Sequence, residues 1–179
     1  MTTTFKNNYR LHIMALVIFS TWIVATNSCK NGNSLSDHNK KLIIDQFKKW
    51  EEKKGSFFDL LTADAVWQVE GNGPGVISGV YQSKEEYMKK VVDPIQSKLV
   101  ERLSPKMISI LAEGNQVVVL WHGSSTAKDG KPYQNTYSWH LTIKNDRITN
   151  VIAFLDTYTL NELMLRVKTT TDKKPVRYE

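Results

Sequence analysis

Six side chains in the C-terminal third, His122, Asn135, Tyr137, Trp139, Phe154 and Asp156, have the types and spacing to handle a small molecule. An imidazole and a carboxylate can exchange protons near neutrality, an amide and a phenol can orient a carbonyl or hydroxyl, and aromatic rings keep water out. Two turns place them. Asp129-Gly130 reads as a two-residue hairpin turn with Lys128 opposite Lys131, and Asn145-Asp146 as a second with Lys144 opposite Arg147. Counting outward, one sheet face collects Leu120, His122, Ser124, Asn135, Tyr137, Trp139, Leu141, Asn150, Ile152, Phe154 and Asp156. Asp156 then falls opposite Asn135, and Phe154 opposite Tyr137. Apolar, aromatic and sparsely polar, this face has the composition of a ligand pocket.

A carboxylate enclosed by Phe154, Tyr137 and Trp139 loses solvation, which raises its pKa and suits it to proton exchange. Asp156 is therefore a candidate base, with His122 and Tyr137 as its catalytic partners. The same residue is equally placed to cap the helix that follows, or simply to orient a ligand. His122 reads either as a relay partner or as a hydrogen-bonded core residue, while His140 has the opposite parity. Trp67, Trp139 and Phe154 are expected as pocket wall. His122 and Asp156 have no third partner of ligand type at usable spacing, so neither a metal nor a cofactor is expected. Gly71-Asn72-Gly73-Pro74-Gly75 lacks the lysine of a phosphate loop and reads as a flexible rim.

The elements that must position these groups follow from periodicity. Asp37 can cap a helix carrying Leu42, Ile43, Phe47 and Trp50, and Phe57 to Leu61 reads as a helical turn before a strand at Val66 to Glu70. Ser83 and Glu86 make a capping box for a second helix with Tyr87, Val91, Ile95 and Leu99, which Pro94 should kink or break. Strands follow at Leu103–Glu113, Gln116–Ala127, Tyr133–Lys144 and Ile148–Leu155, then a helix at Leu160–Val167. This order predicts one α+β domain, a curved antiparallel sheet with helices on its concave face. The opposite sheet face, with Val117, Val119, Trp121, Val151, Ala153 and Leu155, has no helix left to cover it.

Lys6 and Arg10 precede an apolar run from Leu11 to Ala25 that is too short for a comfortable membrane span, and Thr26-Asn27-Ser28-Cys29 follows. Residues 1–28 therefore read as a secretory signal, and 29–36 as a tether. The domain proper is 37–165, and the basic tail 166–179 is expected to be disordered. One cysteine permits no intramolecular disulfide. The formal charge of +6 lies mostly on helix faces and in the tail. With no aromatic-and-basic stripe on a strand, nucleic acid is not an expected partner.

The segment around Cys29 resembles the lipobox of bacterial lipoproteins, which implies acylation of Cys29 and a lipid anchor in the cell envelope. The string Leu61-Thr62-Ala63-Asp64-Ala65-Val66-Trp67, the loop Gly71 to Gly79, the segment Gly114 to Gly123, Asp129 to Tyr133 with Asn135 and Tyr137, and Leu155-Asp156-Thr157 are similar to SnoaL-like proteins of the nuclear transport factor 2-like superfamily. The resemblance implies that superfamily's cone. It matches Asp156 to the general base of SnoaL-type cyclases, places Glu70 near the first-strand carboxylate of ketosteroid isomerase, and implies a homodimer through the outer sheet face. The second isomerase acid would fall near Trp139, and the Asp-Arg-Asp set of limonene-epoxide hydrolase has no arginine here. Two readings compete: a proton-transfer enzyme of isomerase, cyclase or hydrolase type, and a small-molecule-binding or structural envelope protein that does no chemistry.

Overall fold

The computed structural model describes residues 34–71 and 77–168. The signal segment, Cys29, most of the tether and most of the tail thus lie outside the described residues. The first helix, α1, runs through residues 34–51. Its apolar positions Ile43, Phe47 and Trp50 recur at helical spacing and are all buried. Asp37 is not its cap, because the chain is already helical at residue 34. Instead Ser36 and Asn39 dock the helix on a hairpin turn: Ser36 Oγ accepts from the Gly114 N–H at 2.8 Å, and Asn39 Nδ2 donates to the Gly114 carbonyl at 2.9 Å. Ser56 then caps a 3-10 turn, Phe57–Leu60, through a reciprocal pair with Asp59.

Six strands follow: β1 (Leu61–Val69), β2 (Gly79–Tyr81), β3 (Ser104–Glu113), β4 (Gln116–Thr126), β5 (Pro132–Lys144) and β6 (Arg147–Leu155). They form one curved, unclosed sheet in the order β2-β1-β6-β5-β4-β3. All seams are antiparallel except β1–β6, which is parallel. Between β2 and β3 the chain runs through α2 (Lys84–Tyr87), a π turn (Met88–Val92) and α3 (Asp93–Gln96). Ser83 caps α2 as expected, but the Glu86 carboxylate takes the N–H of Gln82 rather than that of Ser83. Pro94 offers no N–H to the preceding turn, and the wider π turn, closed by Asp93 N–H to the Met88 carbonyl, absorbs the mismatch without a break. Helix α4 (Thr157–Arg166) closes the fold.

The sheet register differs from the sequence expectation at two places. Around Asp129-Gly130 the pairing is Thr126 with Pro132, and Ala127 N–H donates to the Lys131 carbonyl at 2.9 Å, leaving a three-residue loop with Gly130 at φ +82°. The second turn is the expected one, Lys144 opposite Arg147 with Asn145 and Asp146 both at positive φ. Four residues later a bulge at Thr149 shifts the register, so that Leu141 faces Val151. Each shift is one residue, and one residue inverts every side chain beyond it. The inner face of β5 is therefore as expected, whereas β4 and β6 are reversed: Val117, Val119, Trp121, Val151 and Ala153 point inward and are buried.

An aromatic cluster fills the concavity. Phe47 and Trp50 of α1 pack edge-on against Trp121 at 5.8 and 5.2 Å, and Trp139 sits 4.7 Å from Phe57. Burying rings of this size contributes the largest apolar share to the core, and truncating one costs about 3–5 kcal/mol.

Candidate ligand-binding site

The cluster does not close completely. A cavity of about 220 Å³ remains between the sheet and the helices. Its floor is Trp121, Tyr137 and Trp139 from adjacent strands, and one wall is Trp50, Ser56 and Phe58. The opposite wall is Met88, Val92, Asp93, Ile95 and Gln96, with Leu99, Arg102 and Leu103 from the loop into β3. The π turn matters here, since its extra residue per turn brings Met88, Val92 and Asp93 onto one side. Drug-sized pockets run to roughly 300–1,000 Å³, so this one suits a molecule of one or two rings.

Polar groups inside the cavity are few. Tyr137 lies in the strand row below Tyr133 and Asn135, and the three are linked: Asn135 Nδ2 donates to the Tyr133 hydroxyl at 3.3 Å, and the two phenolic oxygens are 3.1 Å apart. Tyr133 is 2 % exposed and Tyr137 is 7 % exposed. Either phenol can be the donor of that pair; when Tyr133 donates, the Tyr137 proton is left for whatever fills the cavity. Burial pushes the Tyr137 hydroxyl well above its ordinary value, so it stays protonated and acts as a donor. The indole N–H groups of Trp67 and Trp121 are buried without a partner among the described residues. The Trp121 ring stacks on Tyr137 at 4.1 Å.

Of the residues picked out in the sequence, Tyr137 and Trp139 line this cavity. Asn135 lies beside them as a clamp: its Nδ2 donates to the Asp156 carbonyl at 2.9 Å and its Oδ1 accepts from the Asp156 N–H at 3.1 Å. Trp67 faces inward but sits behind the cavity, stacked on Tyr87 at 4.0 Å. The remaining four lie elsewhere. Phe154 is 46 % exposed on the outer face, opposite Ser138 and 5.5 Å from the His140 ring. His122 is also on the outer face, with Nδ1 3.3 Å from Thr136 Oγ1. Glu70 is hydrogen-bonded by Gln68, whose strand position faces outward with Ile152. Asp156 is exposed and caps α4: Oδ1 accepts from Tyr158 N and Thr159 N at 3.0 and 3.2 Å, and Oδ2 accepts from Thr159 Oγ1 at 2.8 Å. The Thr159 hydroxyl, then the backbone N–H groups, hold its carboxyl below the ordinary value, opposite to the rise expected of an enclosed base. The expectation that Asp156, His122 and Phe154 share a concavity with Tyr137 is corrected by the two register shifts.

The residues missed were Trp50, Phe58, Asp93, Arg102 and Trp121. Trp121 had a signal: Lys128-Asp129-Gly130-Lys131 fits a three-residue loop with glycine in the left-handed position as well as a two-residue one. Among the described residues Asp93 is the only carboxylate on the cavity, and it stands exposed at the rim. Among the described residues no group of three His, Cys, Asp or Glu is arranged to hold a metal ion.

A SnoaL-like domain model matches residues 49–151, more than half of the chain, and the protein belongs to that family. Its fold is shared with solved structures of low sequence identity. A nuclear transport factor 2-like protein from Burkholderia thailandensis E264 is 16% identical, with 70% of this chain and 96% of that one covered at a TM-score of 0.57. A candidate SnoaL-like polyketide cyclase from Jannaschia sp. CCS1 is 12% identical, covering 74% and 94% at 0.58. AclR from Streptomyces galilaeus is 12% identical, covering 76% and 91% at 0.57. At these identities the likeness shows the fold alone. None of the curated proteins is matched by the sequence.

Proposed function

We propose that the protein binds a small, largely apolar, ring-bearing molecule in this cavity through an acceptor oxygen. The observation that carries the reading is the Tyr137 hydroxyl, a buried polar group on the lining of an otherwise apolar cavity, held beside the Asn135–Tyr133 pair. Binding without turnover is favoured. Proton transfer through Asp156 would require the carboxylate to leave three hydrogen bonds, and Asp93, nearer the cavity, is the better placed base if chemistry occurs. Three tryptophans border the cavity, so ligand screening by quenching of tryptophan emission is direct. Tyr137→Phe should weaken a carbonyl-bearing ligand by about 2- to 10-fold, one neutral hydrogen bond of about 0.5–1.5 kcal/mol. Equal affinity in Tyr137→Phe, or no quenching by any small carbonyl compound, would defeat the reading.

The cellular setting belongs to the same proposal. The basic start and apolar run before Cys29 support export and lipid anchoring in a bacterial envelope. Intact mass with and without Cys29→Ala is the check. On the outer sheet face Leu111, Val118, Leu120, Ile152 and Phe154 form a mixed apolar surface that supports a homodimer.

A further inference from the structure

The polar atoms around the cavity are unequal in kind. Inside, Tyr137 and Ser56 carry hydroxyls: Tyr137 shares a hydrogen bond with Tyr133, and Ser56 Oγ accepts from Phe58 N while its own proton remains free to donate. At the mouth stand Gln96, Asp93 and Arg102. The guanidinium of Arg102 has no ion pair within the described residues. Its neighbour Glu101 is engaged by Lys53 at 3.0 Å, and Asp93 forms no ion pair either. An arginine fork presents five donors in a plane and is matched by a carboxylate, whose two oxygens accept in parallel. A cavity with an apolar aromatic body, donors at its closed end and an unclaimed guanidinium at its opening is complementary to an organic anion.

We infer that the occupant is an organic acid, an apolar ring system seated on Trp121 and Trp139 with its carboxylate at the mouth on Arg102. This rests on the cavity being a binding site and adds the charge and orientation of the ligand. Asp93 shares the rim and opposes a second negative charge, so the site selects monoanions over dianions. The mouth is solvent-facing, which makes the Arg102 contact sensitive to salt.

The test is calorimetric titration of the purified full chain with two nearly isosteric probes, 6-hydroxy-2-naphthoate and 6-hydroxy-2-naphthamide, whose hydroxyl oxygen is available to Tyr137, at pH 7 and at low and high salt. The expected result is naphthoate bound about tenfold or more tightly than the amide at low salt, with the gap narrowing at high salt. Arg102→Gln should bring the two probes to equal affinity, Arg102→Lys should keep part of the preference, and Asp93→Asn should tighten naphthoate several-fold. Arg102 and Asp93 are exposed, so these variants fold. Equal binding of both probes by wild type and Arg102→Gln would overturn the anion inference and leave the cavity reading standing. If neither probe binds, the cavity reading falls and takes this inference with it.

Discussion

Replacing Asp156 by alanine removes the acceptors for the Tyr158 and Thr159 N–H groups and for the Thr159 hydroxyl. Loss of such a cap costs about 0.5–2 kcal/mol, and the exposure of this carboxylate in solvent places it near the middle of that range, about 1 kcal/mol. For a domain of this size 1 kcal/mol shifts Tm by about 2–4 °C. Asp156→Asn keeps an oxygen in the same place and should fall by less than half as much. The two differ with pH. Because the folded carboxyl is held below its ordinary 3.8, its ionised form stabilises the fold at every pH above that value. That contribution is lost as pH falls through the folded pKa. The gap between wild type and Asp156→Ala should therefore be constant from pH 7 to 5 and close in acid. Thermal melts followed by circular dichroism, with ligand affinity measured alongside, decide the matter. Two results would refute a purely capping role: Asp156→Asn as unstable as Asp156→Ala, or Asp156→Asn stable but devoid of a turnover that wild type performs.

Gly123→Ala should both destabilise and narrow the cavity, because a Cβ there meets Leu103 Cδ2 at 2.8 Å and Trp121 Cζ3 at 2.9 Å, both cavity-lining residues. The expected cost is about 1–3 kcal/mol, read by denaturant unfolding, with weaker binding of two-ring probes. Deleting Thr149 removes the extra residue of the bulge and leaves Val151 opposite Leu141 and Ala153 opposite Trp139, so every inward side chain of β6 keeps its face. A loss of no more than about 1–2 kcal/mol is expected in thermal melts, and a collapsed or broadened melt would contradict the register argument. Phe154→Glu places a charge on the outer face and should convert the proposed dimer to monomer in light scattering while Tm of the monomer stays within a few degrees. A dimer that persists would move the interface elsewhere.

Much of the architecture was legible in the chain because it is written locally. Helical spacing of Ile43, Phe47 and Trp50, the Ser83 cap, and the alternation through β5 each depend on residues within a few positions of one another. The order of those segments predicted the α+β cone, and the strings Leu61–Trp67, Asp129–Tyr133 and Leu155-Asp156-Thr157 carried the resemblance to the family. Across the hairpins locality ran out. Whether Asp129-Gly130 turns in two residues or three, and whether β6 carries a bulge at Thr149, depends on which rows of β4 and β6 the helices cover. Both rows of β4 are apolar, so its pattern does not choose. The covering surface chose: Phe47 and Trp50 of α1 pack on Trp121 and Trp139, and burying those rings outweighs anything Leu120 or Phe154 could contribute from the other face. The cavity is a tertiary property for the same reason. Trp50, Met88, Arg102 and Trp121 come from four segments with no spacing in common, and they meet only because the sheet curves and the π turn at Met88–Val92 presents its inner side to it. Asp156 carries both lessons. Its capacity to cap a helix was readable from its neighbours, but only the register of β6 decided that it faces Thr159 rather than Tyr137.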